Sequence, residues 1–524
     1  MRIAFSDAVA CRDARVLLPC VAAGFAIFLL LQKSALLAAG VLVIAGVVVL
    51  MLRWPETGTL VVLFSIYSNI AVLAMRPQTA IRATAGSAGQ NPRIAIVLAA
   101  MSLLLAVPLL HHLLIRKGRL IFDRGFVLML AFLAALLMSS LFARDEQIAA
   151  SRVADYLAEG LALYFLLTNV VRDFSALRRA TWSLILAASL MGGLTVYQRA
   201  THTEEKLYGG LAQMGADVSL SPDAQEHSLR PESALARSGQ VEGQLRAAGP
   251  IGEPNRYAQI LLVVLPLGVL VFRTERSPIL RTLGLVATGL IIGGLLLTFS
   301  RGTLLAGVAL FAMMAYLRFL RPRQILLSVL GTGVLVATFA PGVIVRMASL
   351  KDLKSLVFQT EYTQRAPDSS ALHRYTLDVA TWHVFLDHPV FGVGPGHFSE
   401  YYAIPYANRV GLIETTKKYL GHNLYLETLA ETGLSGLVCL LAILFVIMRG
   451  LWSGRRRWLQ SHPENVYWTT AFFLCLCAYA ISAVFNHLSY QRYFWLLVAL
   501  SSATVRIVHS MSEDGISESL SASK

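Results

Sequence analysis

Charged residues are scarce in this 524-residue sequence: Asp, Glu, Lys and Arg make up 15% of it, against 56% hydrophobic residues. Soluble domains average about 25% charged residues, so an ordinary soluble globular protein is excluded. The mean hydropathy of +0.61 agrees with that exclusion. Apolar residues fall in runs of about 17 to 22, the length that crosses a hydrocarbon core of about 30 Å. We therefore predict an all-α polytopic membrane protein with a single membrane domain over residues 1–510.

Other absences narrow the function. Five cysteines are present, at the N-terminus or in apolar segments, so neither a disulfide framework nor a zinc site is indicated. The sequence lacks a Walker-type glycine loop, which argues against ATP-driven transport, and its GVGPG segment follows no strand of a soluble α/β unit. It also lacks an Asp-x-Asp pair, and His202 with its neighbouring glutamates lies in a polar loop. A metal-dependent nucleotide-sugar transferase is therefore disfavoured, and we expect neither a metal nor a cofactor.

The apolar runs predict about 14 transmembrane helices. Much of the net charge of +14 lies in alternate connections, and basic connections face the cytoplasm, so both termini are predicted to be cytoplasmic. One connection, which holds Arg76, Arg82 and Arg93, falls on the opposite side and makes the spans around residues 58–115 the exception to this pattern. The predicted spans are 16–32, 35–52, 58–75, 94–115, 125–142, 154–171, 179–197, 256–272, 281–299, 302–318, 325–345, 428–448, 467–485 and 490–507.

Two long polar segments fall on the extracytoplasmic side by the same count, at 198–255 and 346–423. The first is rich in small and polar residues, so we expect it to be mostly flexible, with an ordered end at 246–255. The polar tail at 511–524 is expected to be cytoplasmic and disordered.

The second segment contains an amphipathic stretch at about 370–387. We expect a helix there that lies on the outer membrane surface, with a solvated face that carries His373, Arg374 and Asp378. The apolar residues that recur at steps of three and four are Leu372, Tyr375, Val379, Trp382 and Leu386.

The motif RAAGPIGEPNRYAQ, residues 246–259, lies where the first polar segment re-enters the membrane. Its glycines and prolines predict a constrained turn, and Asn255 is placed to cap the next helix. Arg246 and Arg256 flank the turn. Interfacial anchoring by snorkelling arginines explains this pattern as well as a binding role does.

The motif TFSRGTLL, residues 298–305, predicts a very tight connection between two apolar spans. An arginine this close to hydrocarbon is costly unless it reaches the headgroup layer or an anionic partner. Arg301 is therefore either a charge that closes the turn or a guanidinium that holds a lipid phosphate bidentately. The residues alone favour neither of these two interpretations of Arg301.

The motif GHNLYLETLAETGLSGL, residues 421–437, ends the second polar segment. Asn423 suits the N-cap of a helix, and Glu427 and Glu431 lie one turn apart on one face. A lone histidine is more often structural than catalytic. At a junction with the membrane, however, His422 with an unperturbed pKa of about 6.5 is suited to accept a hydroxyl proton near neutral pH.

Taken in this order, the three motifs resemble the O-antigen ligase and polymerase family. Members of that family are multispanning inverting glycosyltransferases that use undecaprenyl-diphosphate-linked glycans at the outer face of the cytoplasmic membrane. The resemblance covers residues 246–436 and is strongest in SRG and HNLYLETLAETGLSG, with further likeness in RYTLDVATWHVFLDHPVFGVGPGHF.

This resemblance implies that Arg246 and Arg301 bind the donor diphosphate and that His422 assists the attack of the acceptor, without a metal. The weaker substrate-binding candidates are Arg374, Asn423 and Ser300. The implied partners are an undecaprenyl-diphosphate-linked glycan donor, a lipid A core or growing lipid-linked glycan as acceptor, and membrane lipid, but no nucleic acid. The second loop is long and the predicted spans outnumber those of the ligases, so ligase and polymerase both stay open.

Two alternatives accompany this interpretation. A secondary transporter or lipid-linked glycan flippase would place ionisable groups or broken helices near the middle of the membrane, where Asp155 and Glu159 are the candidates. A protein O-oligosaccharyltransferase of similar architecture would differ only in its acceptor.

Overall fold

The computed structural model describes residues 55–70, 101–114, 117, 119–206, 208–214, 240–241, 244–339, 369–411, 421–461, 465–486 and 491–522. The predicted spans 16–32 and 35–52 lie outside these residues, as do parts of both long polar segments.

Helices make up nearly all of the described chain. Two π-helical segments, Tyr156–Ala162 and Phe398–Tyr402, lead into α5 and α12, and two short strands, Gln240–Val241 and Gln244–Leu245, pair antiparallel. The α-helices are α1 (Pro55–Ser68), α2 (Ala106–Leu114), α3 (Arg124–Ser140), α4 (Glu146–Asp155), α5 (Leu163–Val170), α6 (Phe174–Ala200), α7 (Pro254–Thr274), α8 (Pro278–Leu296), α9 (Arg301–Tyr316), α10 (Pro322–Phe339), α11 (Ser369–Asp387), α12 (Ala403–Val410), α13 (Leu424–Ser461), α14 (Val466–Ser482) and α15 (Arg492–Ala522).

Within the described residues, 6 helices are long and apolar enough to cross a membrane: α6, α7, α8, α13, α14 and α15. Five shorter apolar helices accompany them, in α1, α3, α9, α10 and residues 101–114. The predicted span 154–171 corresponds to α4, the π segment and α5 together. The chain is thus a helical multi-pass membrane protein, while the number of fourteen spans stays a prediction.

Glycines let α6, α7 and α8 approach one another closely. A Cβ atom at Gly192 would lie 2.5 Å from the carbonyl oxygen of Leu290, and one at Gly268 would lie 2.2 Å from Oγ1 of Thr288. Small residues at such contacts are typical of membrane helices, since lipid supplies no hydrophobic gain for helix association. The apolar windows of α7, α14 and α15 are each 72% buried, so these three helices lie in the interior.

Basic residues gather at one end of the helix bundle. Arg178 at the start of α6 pairs with Glu275 just after α7, and Arg455 of α13 donates to the carbonyl oxygen of Leu317 at the end of α9. The chain enters α7, α9 and α13 at the opposite end. The clusters that the sequence assigns to the cytoplasm therefore lie at the far end from all three motifs.

The backbone of α13 is interrupted at Gly433, whose φ of 64° and ψ of −164° are accessible essentially only to glycine. The GVGPG segment and the residues before it fill this break. The N–H of Gly394 donates to the carbonyl oxygen of Glu431 at 3.0 Å, and the N–H of Leu434 donates to that of Pro389 at 2.9 Å. GVGPG thus serves to satisfy the backbone of a broken helix.

Two element boundaries differ from the sequence prediction. Helix α15 continues to Ala522, whereas residues 511–524 were expected to be a disordered tail. Helix α13 likewise extends beyond the predicted span 428–448 on both sides, because its ends are polar and carry no hydropathy signal.

Candidate functional site

The connection between α8 and α9 is as tight as predicted, since four residues, 297–300, separate the helices. Phe299 has a φ of 51°, which reverses the chain. Ser300 is the N-cap and the half-buried Arg301 is the first residue of α9. Gly302 has a packing role, because a Cβ atom there would lie 2.7 Å from Cγ of Phe485. The SRG motif therefore combines a sharp turn with close helix packing.

The end of the first polar segment docks against this turn. The N–H of Ala247 donates to the carbonyl oxygen of Leu297 at 2.9 Å, and the N–H of Ala248 donates to that of Gln213 at 2.8 Å. These bonds hold the extended backbone at residues 246–248 beside the end of α8. They bring the first two motifs together although about fifty residues separate them.

Arg246 and Ser300 meet at the side chain of Asn255. Nη2 of Arg246 donates to Oδ1 of Asn255 at 3.1 Å, and Oγ of Ser300 donates to the same oxygen at 2.9 Å. Nε of Arg246 also donates to the carbonyl oxygen of Thr298 at 3.0 Å. Arg246 is only 6% exposed, so its guanidinium is held in a buried, fixed position.

The predicted capping role of Asn255 is wrong. Glu253 is the N-cap of α7, without a side-chain bond to the helix, and Pro254 occupies the first helical position. Proline suits that position because its missing N–H would have no partner there. Asn255 is thereby free to serve as the acceptor that joins the first two motifs.

Arg256 follows Asn255 in the first turn of α7 and is 2% exposed. Its Nη1 donates to Oε1 of Gln259 at 3.1 Å, and Gln259 in turn donates to Oγ of Ser482 at 3.0 Å. Oε2 of Glu253 lies 4.0 Å from Nε of Arg256. A second buried guanidinium therefore stands next to Arg246.

The third motif places His422 just before α13. Asn423 caps that helix as predicted, since its Oδ1 accepts from the N–H groups of Tyr425 at 3.0 Å and Leu426 at 3.3 Å. This cap fixes the backbone beside His422, which is half-buried.

The electrostatic surroundings of His422 differ from the sequence expectation. Burial and the charge of Arg374 lower the pKa of His422 from 6.5 to about 3. The charges of His373 and Arg256 lower it further. The assumption of an unperturbed imidazole is therefore wrong for the site as it stands, because the histidine lies among cations.

Helix α11 occupies Ser369–Asp387, where the sequence places an amphipathic helix. His373, Arg374 and Asp378 do not form a solvated face, since all three are only partly exposed. Burial lowers the pKa of His373 and raises that of Asp378 to about 6. His373 and Arg374 instead lie close enough to His422 of the third motif for their charges to act on its imidazole.

The apolar stripe of α11 is the exposed side. Tyr375 is 57%, Trp382 45% and Leu386 55% exposed, whereas Leu377 and Val384 are fully buried. The buried side packs on a small separate core formed with the residues that follow α11. An outward stripe of large apolar side chains fits contact with lipid.

The two glutamates of the third motif have separate surroundings. Oε1 of Glu431 accepts from the N–H of Phe398 at 3.4 Å, under the loop that fills the break in α13. Glu427 lies against Gly421, where a new Cβ atom would be 3.3 Å from its own Cβ.

The structure brings together Arg246, Ser300 and Asn255 on one side, and His422, Arg374 and Arg256 on the other. Arg256 and Asn255, adjacent in sequence, join the two sets. Sequence reasoning assigned Arg256 only to the flank of a turn. Its position in the first turn of a helix that begins with Pro-Asn was the sequence feature that could have indicated a larger role. Successive side chains on a helix point about 100° apart, so Asn255 and Arg256 reach different neighbours.

Residues 286–441 match the model of a family described as O-Antigen ligase. The match includes Ser300, Arg301, Arg374, His422 and Asn423, and begins after Arg246. The chain is also 25% identical over 260 residues to the teichuronic acid biosynthesis protein TuaE of Bacillus subtilis. The aligned region makes up 48% of this chain and 51% of TuaE. The chain thus spans about half the length of that relative. The resemblance indicated by the motifs is confirmed: over residues 286–441 the chain matches the O-antigen ligase family.

Proposed function

We propose that this protein is a membrane glycan ligase or polymerase, which transfers glycan from an undecaprenyl-diphosphate-linked donor at the outer face of the cytoplasmic membrane. One observation carries the proposal: buried arginines and His422 converge at the end of the bundle away from the basic clusters. The match to the O-antigen ligase family and the similarity to TuaE, a teichuronic acid biosynthesis protein, support glycan chemistry.

The arginines suit a donor that carries a diphosphate. Outside the cytoplasm no nucleotide sugar is available, so the glycan must bring its own leaving group. A guanidinium is permanently charged and binds phosphate oxygens bidentately. Arg246 and Arg301 are proposed to hold the diphosphate, with Ser300 beside them. Their charge would stabilise the negative charge that grows on the leaving group, the task that a metal ion performs in other transferases.

The reaction is an inverting displacement at the anomeric carbon. The acceptor hydroxyl attacks from the face opposite the diphosphate, a new glycosidic C–O bond forms, and the C–O bond to the diphosphate breaks. Its electron pair leaves with undecaprenyl diphosphate. His422 accepts the hydroxyl proton and later releases it to solvent. Arg374 is proposed to contact the acceptor or the diphosphate.

Donor binding would prepare His422 for this role. With a pKa of about 3, the imidazole is neutral at pH 7 but is a weak base. A bound diphosphate would bring negative charge next to Arg374 and Arg256, offset their effect and raise the pKa of His422. The base would thus be strengthened when the donor is in place.

Transport is not favoured as the function. Among the two acidic residues that would suggest it, Glu159 is buried and its Oε1 lies 3.6 Å from Nη1 of the buried Arg492. The break in α13 is filled by a loop whose backbone hydrogen-bonds across it. Both features have a structural explanation, and a protein acceptor has no specific observation in its favour.

Replacement of the proposed catalytic residues tests the function directly. His422→Ala and Arg301→Ala should each abolish glycan transfer, assayed with purified protein in nanodiscs and a lipid-diphosphate-linked glycan. Arg301→Lys should also be poor, since an ammonium does not reproduce bidentate geometry. Arg323→Ala is the matched control, because Arg323 is exposed and lies at the basic end of the bundle, away from the site. Normal transfer by either His422→Ala or Arg301→Ala, with normal membrane abundance, would contradict the assignment.

The type of transfer follows from the glycans of a deletion strain. Single repeat units on the acceptor indicate a polymerase, whereas long chains that remain on undecaprenyl diphosphate indicate a ligase. A deletion strain with unchanged surface and lipid-linked glycans would refute both.

A further inference from the structure

Arg256 is among the most completely buried large side chains in the described chain, at 2% exposure. Its Nε and Nη2 atoms are buried and make no hydrogen bond to any described residue. Only Nη1 has such a bond, to the neutral side chain of Gln259. A guanidinium has five N–H donors, so most of its capacity is unused.

This arrangement is costly without a ligand. An ionised group that is removed from water loses its hydration, and the loss is recovered only by an opposite charge and further hydrogen bonds. Glu253 gives partial compensation at 4.0 Å, but its side chain is 23% exposed and too distant for a hydrogen bond. The protein therefore holds a buried cation that is ready for an anion.

The orientation of this cation is fixed by a chain of neutral groups. Gln259 accepts from Nη1 of Arg256 and donates to Oγ of Ser482 at 3.0 Å, and Ser482 donates to the carbonyl oxygen of Tyr479 at 3.0 Å. This chain ties α7 to α14 without a carboxylate. It orients the guanidinium without adding a negative charge beside it.

The location of Arg256 gives the ligand class. On one side, its neighbour Asn255 bonds Arg246 and Ser300. On the other, Arg256 lies close enough to His422 for its charge to act on the imidazole. An anion that reaches both sides has two charged groups in series, as a diphosphate has.

We propose that Arg256 forms a second anion subsite that takes one phosphate of a lipid diphosphate, while Arg246 and Ser300 border the subsite of the other. This inference rests on the proposed function and adds a residue that lies outside the matched family region. It makes the site selective for a diphosphate over a monophosphate. Arg256 would thus distinguish a lipid that carries a diphosphate, whether donor or leaving group, from a lipid that carries a monophosphate.

The test compares two ligands on three proteins. Binding of undecaprenyl diphosphate and undecaprenyl monophosphate is measured with wild type, Arg256→Gln and Arg256→Lys in phosphatidylcholine nanodiscs. Wild type should prefer the diphosphate by about ten- to a hundredfold, the effect of charge-assisted hydrogen bonds to one phosphate. Arg256→Gln should bind both lipids alike, and Arg256→Lys should recover part of the preference.

Thermal unfolding separates a ligand-binding role from a structural one. Removal of an uncompensated buried charge is neutral or stabilising, so ligand-free Arg256→Gln should unfold at the wild-type temperature or above it. A structural arginine would give a lower temperature. Arg323→Gln, an exposed arginine at the basic end, is the control and should retain the diphosphate preference.

Three results would overturn the inference. Arg256→Gln could keep the preference for diphosphate, it could lose affinity for both lipids equally, or phosphatidylglycerol could displace the diphosphate from wild type, which would make the subsite one for lipid headgroups. If wild type transfers glycan and any of these holds, only the subsite fails. If wild type neither binds undecaprenyl diphosphate nor transfers glycan, the proposed function and the subsite fail together.

Discussion

At the scale of single residues, His422 owes its properties to its neighbours. Burial and the neighbouring side chains of Arg374, His373 and Arg256 hold its pKa at about 3. The imidazole acts as a base in its neutral form, so activity is lost as the pH falls through this pKa. A lowered pKa keeps the imidazole neutral, and so able to accept a proton, down to a lower pH. It also makes the imidazole a weaker base.

The pH dependence of transfer should reflect this arrangement. For wild type, the acid limb of kcat/KM, which reports the free enzyme, should lie below the ordinary histidine pKa of about 6.5. Arg374→Gln removes a positive charge, makes the imidazolium less unfavourable and should move that limb to higher pH. The acid limb of kcat reports the enzyme with donor bound. In wild type it should lie at higher pH than the acid limb of kcat/KM, because the bound diphosphate offsets the positive charges of Arg374 and Arg256.

The measurement is a pair of pH–rate profiles at saturating and limiting donor concentration. Arg323→Gln is the charge-matched control and should leave both limbs in place. A wild-type acid limb of kcat/KM near 6.5, or an Arg374→Gln limb at the wild-type position, would count against His422 as the base in this environment.

The sequence predicted the identity of these residues better than their surroundings. The N-cap role of Asn423 was predictable because capping is local. The role of Asn255 was not, since it depends on Arg246 and Ser300, which the fold brings together. The polar face of α11 was assigned to solvent because a helical pattern shows two faces but not which neighbour covers each one.

At the scale of elements, the sequence predicts apolar helices well and their interruptions poorly. Apolar runs reflect the local requirement that backbone groups in lipid be satisfied within a helix. The break in α13 is invisible to that signal because its partner, the loop at residues 389–394, lies about forty residues earlier. Gly433 and GVGPG looked like separate glycine features, and their pairing is a property of the tertiary structure.

Substitution of Gly433 should disrupt this pairing. A Cβ atom there would lie 2.3 Å from the carbonyl carbon of Val390, and the backbone conformation alone costs about 1–3 kcal/mol for a residue other than glycine. Gly433→Ala should therefore lower the unfolding temperature of the detergent-solubilised protein and reduce transfer, because the third motif begins the same helix.

The matched control is Gly289→Ala in α8, where the added Cβ meets nothing within 4 Å. Alanine there should be neutral or slightly stabilising, since it has the higher helix propensity. Equal unfolding temperatures for Gly433→Ala and wild type would show that the loop does not require this break.

At the scale of the whole molecule, a buried polar network ties distant parts of the chain to the candidate site. Arg492 at the start of α15 pairs with Glu159 in the π-helical segment and donates to Oδ1 of Asn69 at 2.8 Å. Asn69, with a φ of 60°, donates to the carbonyl oxygen of Pro250 at 2.9 Å. The turn that carries Arg246 and Arg256 is thus braced from both ends of the described chain.

The sequence did not predict this network, and Glu159 was interpreted there as a candidate transport residue. Its partner lies more than three hundred residues away, and a single sequence carries no signal for such a pair. The placement is nevertheless consistent with the rule that ionisable residues within a membrane face the interior and pair with one another.

The effects of substituting Glu159 and Arg492 on the stability of the protein should therefore be coupled. Glu159→Gln or Arg492→Met alone leaves one buried charge without its partner, at a cost of about 3–5 kcal/mol. The double variant leaves neither charge and should be more stable than either single variant. A double-mutant cycle of thermal unfolding in detergent measures the coupling. The control is Arg409→Gln, which removes an ion pair between exposed side chains, with Asp387, and should have a small effect.

Glycan transfer should follow the same order as stability, because loss of this network loosens the turn at Pro250. Additive losses in the cycle would mean that Glu159 and Arg492 act independently, and the brace would then rest on Asn69 alone.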